Sequence, residues 1–199
     1  MSRWEVKIAG FGGQGIILAG YLLGKAAAVY DRRHATMVQS YGPEARGSAC
    51  ASQVIIADEP IYYPYVTEPD VLIAMSQEAY TRFAAEVKPG GLLLIERDLV
   101  ALDTDVARPD GDGVRLHAIS ATKIAEELGH RIVANIVMLG FLCALAPIVS
   151  SSGMKEALRS SLPKSAIELN LLAFEAGYER GLQVGYNLAG NPSQRREGL

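Results

Sequence analysis

A glycine-rich segment near the amino terminus has the spacing that phosphate-binding turns require. Gly10, Gly12 and Gly15 match a pattern in which glycines permit a tight turn and let backbone N–H groups face a pyrophosphate. An apolar run, 6–9, precedes this segment, and an apolar pattern, 16–29, follows it, which predicts a strand, a turn and a buried helix. The segment, called the glycine turn below, therefore predicts a phosphate or pyrophosphate site, with a purely structural tight turn as the alternative.

Turns of this kind often bind NAD or FAD, but here the residue that would hold the ribose is missing. Such sites place an acidic side chain at the end of the second strand, about 20 residues further on. Asp31 has this spacing but precedes the predicted strand 35–39, whose far end carries Gln39, Ser40 and Tyr41. NAD or FAD binding is therefore the less favoured alternative.

The loop after the second predicted strand carries a cation suited to phosphate. Segment 40–48 combines Gly-Pro punctuation with small residues, and it contains Arg46, whose forked guanidinium is permanently charged. Loops that follow the strands of an open parallel sheet meet at its ligand crevice, so we expect Arg46 and the glycine turn to face one site. The alternative is that Arg46 pairs with Glu44 or covers a subunit contact.

Other polar residues have simpler interpretations. Asn135 stands at the start of an apolar helix, a position typical of a helix cap, although a cap at the mouth of a crevice can also bind a ligand. Asn170 falls on the apolar face of the last helix, which favours a satisfied buried amide. Glu96 and Asp98 have the positions of surface or turn charges. No pattern of Ser, His and Asp or of Cys and His indicates independent catalysis.

Composition is typical of a globular chain with one core. The 199 residues are 49% hydrophobic and 21% charged, and the net charge of -3 gives no general reason to bind nucleic acid or an anionic membrane. Two cysteines and three histidines cannot convincingly supply the four ligands that iron–sulfur clusters or structural zinc need, so we expect no metal site. The amino terminus lacks a signal-peptide pattern, and 136–149 is too short to span a bilayer, so we expect a cytoplasmic protein.

These residues need a framework of alternating strands and helices. Apolar runs predict strands at 6–9, 35–39, 51–56, 70–75, 92–95 and 115–119, the last at a sheet edge. Helices are predicted at 16–29, 77–87, 121–128, 135–145, 154–160 and 164–180, with Ser120 as the N-cap of the third. This alternation predicts an α/β, Rossmann-like three-layer α/β/α fold with a mostly parallel sheet and a helical C-terminal part.

Two helices carry packing signals. Gly20 and Gly24 are one turn apart in the first helix and are expected to let its backbone approach the sheet. The last helix is expected to lie between Pro163 and Gly181. Its predicted core stripe consists of Ile167, Leu171, Phe174 and Tyr178.

Four short segments occur in a characteristic order along the chain: 10–15 (GFGGQG), 40–47 (SYGPEARG), 88–91 (KPGG) and 135–140 (NIVMLG). Over about residues 4–185, the chain resembles the gamma subunit of 2-oxoacid:ferredoxin oxidoreductases. The loop around Arg46 is most similar to that of the 2-oxoglutarate enzymes, and Ser48 departs from the second glycine of many relatives. The resemblance implies a single gamma-type domain over residues 1–189. The polar composition of the last residues predicts a flexible tail over 190–199.

The resemblance also implies a function within a larger enzyme, which converts a 2-oxoacid, coenzyme A and oxidised ferredoxin into acyl-CoA, CO2 and reduced ferredoxin. Thiamine diphosphate would lie in the alpha and beta partner subunits, and iron–sulfur clusters in the beta and ferredoxin-like subunits. This chain would have no catalytic group but would contribute to the coenzyme A site; the alternative is a pure scaffold. The residues implied at that site are Gly12, Gly13, Gln14, Gly15, Ile16, Arg46 and Asn135, with Lys164 as a further candidate.

Overall fold

The computed structural model describes residues 2–41, 49–102 and 113–190, and within them six strands form one sheet. The strands are β1 (Arg3–Phe11), β2 (His34–Tyr41), β3 (Ala49–Ala57), β4 (Val71–Ala74), β5 (Leu92–Glu96) and β6 (Arg115–Ile119). Their order across the sheet is β2-β3-β1-β4-β5-β6. Strands β1, β4, β5 and β6 run parallel, while β3 is antiparallel to both β1 and β2. The predicted mostly parallel sheet is confirmed.

The helices also lie where the sequence predicts them. They are α1 (Ile16–Lys25, continued by a π-helical turn, Ala26–Tyr30), α2 (Gln77–Phe83), α3 (Ala121–Glu127), α4 (Ala134–Leu145), α5 (Ser151–Ser161) and α6 (Lys164–Gly190). The predicted end of the last helix at Gly181 is wrong, because α6 continues to Gly190. Residues 191–199 lie outside the described residues, so the flexible tail stays a prediction. Among the described helices, none combines the length and apolarity needed to cross a bilayer.

Helices cover both faces of the sheet, but unequally. Side chains alternate between the two faces of a strand, so Ile8 and Ala9 of β1 point in opposite directions. The larger core joins Val6 and Ile8 to side chains of α1, α3, α4, α5 and α6. The smaller core joins Ala9 and Leu72 mainly to α2. The predicted three layers are therefore present. The helical layer that contains α1, α3, α4, α5 and α6 is much thicker than the layer that contains α2.

α4 and α6 touch at glycines. A Cβ on Gly140 would lie 2.0 Å from the Phe174 carbonyl oxygen, and one on Gly177 would lie 1.9 Å from the Val137 carbonyl oxygen. This approach centres the contact on small residues. Over residues 164–185, where the side chains of α6 are described, the buried positions are Asn170, Ala173, Phe174, Gly177 and Gly181. The predicted core stripe is confirmed in part: Phe174 is fully buried, and Leu171 and Tyr178 are half-buried and pack against the larger core. Ile167 is half-buried and is not part of that core.

Two further packing predictions have mixed outcomes. A Cβ on Gly20 would lie 1.7 Å from Ser52 Oγ, which confirms a close approach of α1 to β3. The same prediction is wrong for Gly24, where a Cβ would make an ordinary 3.8 Å contact with Val54. Asn170 is buried as predicted, and its Nδ2 donates to the Ala166 carbonyl at 2.8 Å.

Glu96 is a buried helix-capping residue, so its interpretation as a surface or turn charge is wrong. Its carboxylate, at the end of β5, accepts hydrogen bonds from the Thr122 backbone N–H at 2.8 Å and hydroxyl at 3.0 Å, and from the Asp98 N–H at 3.2 Å. Burial raises the pKa of Glu96, although these hydrogen bonds act in the opposite direction. Ser120 is at the predicted N-cap position of α3, but its hydroxyl donates to Asp98.

Candidate ligand site at the glycine turn

The glycine turn follows β1, and the helices that follow β1 and its neighbour β4 cover opposite faces of the sheet. β1 and β4 are parallel neighbours, yet α1, which follows β1, belongs to the larger core and α2, which follows β4, to the smaller core on the other face. In open α/β sheets, ligand crevices form at the carboxyl ends of such strand pairs. The glycine turn and the residues that follow β4 therefore flank the expected crevice.

The backbone of the glycine turn is compact and open on one side. Gly13 and Gly15 have positive φ angles of 94° and 73°, which side-chain-bearing residues rarely adopt. The Gln14 N–H donates to the Phe11 carbonyl at 3.2 Å and closes the turn. A Cβ on Gly12 or Gly13 would meet no atom within 4 Å. Since the φ of Gly12 is not positive, the fold itself does not require glycine at that position.

This open turn presents hydrogen-bond donors. Within the described residues, the backbone N–H groups of Gly12, Gly13, Gly15 and Ile16 have no acceptor. Ile16 begins α1, and the first N–H groups of a helix lack intrahelical partners and carry the positive end of its dipole. Such an arrangement can bind a phosphate anion without any basic side chain.

The Gln14 side chain braces the turn from within. Its Oε1 accepts from the Phe11 N–H at 2.7 Å, and its Nε2 donates to the Met75 carbonyl at 2.8 Å. Gly10 makes room for this amide, because a Cβ there would lie 2.4 Å from Gln14 Oε1. The side chain thus ties the glycine turn to the end of β4, and direct contact of Gln14 with a ligand stays a prediction.

Asn135 connects α4 to the glycine turn. Val133 occupies the N-cap position of α4, so the interpretation of Asn135 as a helix cap is wrong. Asn135 Nδ2 instead donates to the Gly15 carbonyl at 3.0 Å. The residue is 2% exposed, and its Oδ1 has no hydrogen-bond partner in the part of the chain that the structure describes. The structure therefore brings Asn135 and the glycine turn together.

The predicted position of Arg46 is not tested, because residue 46 lies outside the described residues. Its loop joins β2 to β3, and the flanking strand ends lie at the same edge of the sheet as the glycine turn: Ala49 pairs with Phe11, and Tyr41 pairs with Cys50. Both ends of the loop are therefore anchored near the candidate site.

Lys164 is not joined to the glycine turn by any contact among the described residues. It is the exposed first residue of α6. Ser161, three residues earlier in the chain, accepts a hydrogen bond from Lys25 at the carboxyl end of α1. Gly15 lies at the opposite, amino end of that helix. The involvement of Lys164 stays a prediction without support from its position.

Asp31, the residue weighed as a ribose ligand, has a structural role. Its carboxylate accepts from the Ser150 N–H at 2.7 Å and from the Ser150 hydroxyl at 2.5 Å, where α5 begins. In the sheet, the antiparallel strand β3 lies between β1 and β2, so the end of β2 is separated from the glycine turn by one strand. The absence of a ribose-binding acid after β2 stays a prediction, because residues 42–48 lie outside the described residues.

Neither cysteine is poised as a nucleophile. Burial raises the pKa of the Cys50 thiol, and it raises the pKa of Cys143 to about 12. Among the described His, Cys, Asp and Glu side chains, no group of three is arranged to hold a metal ion. What the described site does offer is the set of unused backbone N–H groups at the glycine turn and the start of α1, the kind of donors that anions accept from.

Comparison with known proteins identifies the family. The family model for pyruvate ferredoxin/flavodoxin oxidoreductase matches residues 5–180. The chain belongs to this family. The predicted resemblance to gamma subunits is confirmed by the relatives described next, and the chain is a subunit of an oxidoreductase.

Three similar proteins illustrate the match to this oxidoreductase family. The 2-oxoglutarate synthase subunit KorC of Methanocaldococcus jannaschii is 52% identical over 178 residues, which are 89% of this chain and 93% of the relative. A keto/oxoacid ferredoxin oxidoreductase gamma subunit from Geobacter sulfurreducens is 40% identical with a TM-score of 0.78, covering 90% of this chain and 99% of that one. The 2-oxoglutarate:ferredoxin oxidoreductase of Magnetococcus marinus, solved with 2-oxoglutarate, coenzyme A and succinyl-CoA bound, is 25% identical with a TM-score of 0.80. The match covers 91% of this chain and 31% of the Magnetococcus chain.

Two features of this oxidoreductase-family subunit escape sequence reasoning. Met75 contributes only its backbone carbonyl to the brace, so its side chain gives no signal. Asn135 and Gly15 are 120 positions apart, and only the fold joins them. Gly10 is the one residue whose type could have indicated this brace, because the absence of a side chain there makes room for the Gln14 amide.

Proposed function

We propose that this chain is the gamma subunit of a 2-oxoacid:ferredoxin oxidoreductase that acts on 2-oxoglutarate, and that its glycine turn binds the phosphates of coenzyme A. The observation that carries this proposal is the set of unused N–H groups beside the open space at Gly12 and Gly13. The name of the Methanocaldococcus relative supports 2-oxoglutarate as the substrate. The ligands of the Magnetococcus enzyme support coenzyme A as the phosphate-bearing molecule.

The role of the chain in this reaction is to hold and orient coenzyme A. Backbone N–H groups fix the phosphates by hydrogen bonds and by the positive end of the α1 dipole. The pantetheine arm is then free to extend toward a partner subunit, where its thiol receives the acyl group. Arg46, on the loop beside the glycine turn, would add a bidentate cation to the phosphate site.

The redox groups belong on partner subunits in this proposal. Thiamine diphosphate supplies the carbanion chemistry of decarboxylation when it is bound to the alpha and beta subunits, and iron–sulfur clusters pass the electrons to ferredoxin. This chain does not fit a cluster, because its two cysteines fall short of the four thiolates that such clusters generally need. Partner binding and coenzyme A positioning are the tasks that remain for it.

Gly12→Val in the assembled enzyme complex tests the proposal. A Cβ at Gly12 would meet no atom within 4 Å, and the φ of Gly12 is not positive, so we expect the free energy of unfolding to change by less than about 0.5 kcal/mol. The added side chain stands where the phosphates approach, so we expect the KM for coenzyme A to rise about tenfold or more, equivalent to ~1.4 kcal/mol. Steady-state kinetics at varied coenzyme A measures this.

Gly185→Val is the matched control, because Gly185 in α6 also has open space around its Cα. This variant should leave the KM for coenzyme A unchanged. A Gly12→Val complex that assembles and keeps the wild-type KM would contradict coenzyme A binding at the glycine turn. That result would favour the scaffold role.

A further inference from the structure

The outward side of α1 and its π-helical turn is apolar. Leu18, Tyr21 and Val29 are 37%, 48% and 59% exposed, and beside them Ala28 is exposed and Ile17 is half-buried. These five positions recur at the spacing of helical turns, so they lie along one side of the helix and are called the α1 face below. A helix that is apolar on its open side as well as on its packed side has the composition of a buried helix.

The one charged residue between positions 16 and 30 is engaged by a neighbouring helix. Lys25 Nζ donates to Ser161 Oγ at 2.8 Å and to the Ser160 carbonyl at 3.3 Å, where α5 ends. The outward sides of α2, α3 and α5 instead carry charged side chains, which are Glu78, Arg82, Lys123, Glu126, Glu127, Glu156 and Arg159. Since contiguous exposed apolar surface marks an interaction site, the α1 face has the properties of a surface that another molecule covers.

The loop between β3 and β4 also exposes large side chains, but its chemistry differs. Its exposed residues Tyr62, Tyr63 and Tyr65 carry hydroxyl groups that water can solvate, and Glu59 and Glu68 are exposed on the same loop. The aliphatic members of the α1 face have no polar group. Exposure is therefore more unfavourable for the α1 face than for this loop.

Relatives of this chain indicate which molecule covers the α1 face. The ketoisovalerate oxidoreductase subunit VorA of Methanothermobacter thermautotrophicus is 37% identical over 178 residues, which are 88% of this chain but only 36% of the relative. The Magnetococcus chain is also much longer than the matched domain, whereas the Methanocaldococcus and Geobacter relatives match over almost their whole length. The same domain therefore occurs both joined to a longer chain and as a separate chain.

This difference has a consequence for the surface of the separate chain. A covalent connection keeps two domains at a high effective concentration, so their contact can be weak. Without the connection, the contact surface itself has to supply the affinity, and permanent interfaces between subunits are more apolar than transient ones. An apolar helix face without a free charge meets this requirement.

We propose that the α1 face binds the partner subunit that corresponds to the remainder of those longer chains. The partner surface that meets it is apolar and carries no unpaired charge. Because α1 begins directly after Gly15, a partner bound there also lies beside the glycine turn. This inference rests on the proposed function for the existence of the partner, and it goes further by naming the surface that holds the partner.

Tyr21→Glu and Val29→Lys test the proposal by placing charges of opposite sign on the α1 face. Glutamate four residues before Lys25 and lysine near the carboxyl end of the helix are both favourable placements, so the urea unfolding midpoint of the isolated chain should stay at its wild-type value. In the assembled complex, each charge would be buried without a partner charge. We expect the concentration at which half of this chain has dissociated to rise about thirtyfold or more, measured by mass photometry of the diluted complex.

Leu172→Lys is the matched control, because Leu172 is exposed on α6 and a lysine there follows Glu168 by one turn. It should leave both the unfolding midpoint and the dissociation of the complex unchanged. Wild-type dissociation of Tyr21→Glu and Val29→Lys would overturn the inference, as would weakening by Leu172→Lys alone. If a charged variant unfolds at lower urea, Tyr21→Ala decides, with an expected rise of about threefold to tenfold.

A second copy of this chain is the alternative occupant of the α1 face. If the isolated chain is a dimer that Tyr21→Glu converts to a monomer, while the complex dissociates as wild type does, the inference is overturned. Failure of the proposed function is seen separately. A wild-type chain that does not associate with the other oxidoreductase subunits would contradict the proposed function, whereas a wild-type complex insensitive to changes on the α1 face contradicts only this inference.

Discussion

The glycines of the turn after β1 and those between α4 and α6 have the same side chain for different physical reasons. In the turn, Gly13 and Gly15 take left-handed backbone conformations, and Gly12 and Gly13 border open space. In the helix contact, the φ angles are not positive, and a Cβ on Gly140 or Gly177 would overlap the backbone of the facing helix. The first group leaves open space beside the turn, where we propose that a ligand binds, and the second removes volume so that two helices can touch.

The largest expected effect is on the helix contact. Gly177→Ala places a Cβ 1.9 Å from the Val137 carbonyl oxygen, so α4 and α6 must move apart. We expect the free energy of unfolding to fall by about 3 kcal/mol, because the gain of about 1 kcal/mol from alanine's helix propensity cannot offset this overlap. Urea unfolding of the isolated chain measures the change. Gly185→Ala, in open space on the same helix, should instead stabilise the chain, and wild-type stability of Gly177→Ala would break the comparison.

An intermediate effect is expected at Gly15, which has a proposed ligand role in addition to a structural constraint. Gly15→Ala must adopt a φ of 73° and displace Asn135 Nδ2, which would lie 2.3 Å from the new Cβ. We expect a loss of about 2 kcal/mol in the free energy of unfolding, together with a higher KM for coenzyme A. Gly13→Ala, left-handed but uncrowded, should lose about 1 kcal/mol. Equal stabilities of the two variants would show that the Asn135 contact does not constrain Gly15.

The smallest effects are expected in α1, where two glycines are one turn apart. Gly20→Ala would place its Cβ 1.7 Å from the Ser52 hydroxyl oxygen, which can rotate away only in part, so we expect a loss of about 1 kcal/mol. Gly24→Ala makes an ordinary contact and should gain up to about 1 kcal/mol from helix propensity. Neither variant should change the KM for coenzyme A. A reversed order of their unfolding midpoints in urea would contradict the packing described for α1 and β3.

Periodicity predicts the fold well because it reports local burial. The six strands and six helices lie at the predicted positions, since runs such as 70–75 and 136–149 are apolar in the way that buried elements must be. The same periodicity predicts the core stripe of α6 only in part, because it misses the small residues at the centre of the contact with α4. A pattern of large apolar residues cannot show that α4 approaches along Gly177 and Gly181, because close backbone contact depends on the absence of side chains.

The candidate site is predictable only where its signal is local. The glycine turn is found from its spacing, because tight turns require glycine at defined positions. Glu96 is misread, since nothing in its neighbours along the chain shows that Thr122 will meet it and bury it. Asn135 is placed at the site by the resemblance, but the bond to Gly15 and the unused oxygen depend on the fold.

The sequence alone therefore determines the alternation of strands and helices and the position of the glycine turn, because each depends on residues close together in the chain. Only the tertiary structure decides that β3 separates β2 from the turn, that Gln14 is fastened to the end of β4, and that α4 brings an asparagine beneath Gly15. These are contacts between distant segments. They are fixed by how the helices pack on the sheet, and no local pattern of residue types records that packing.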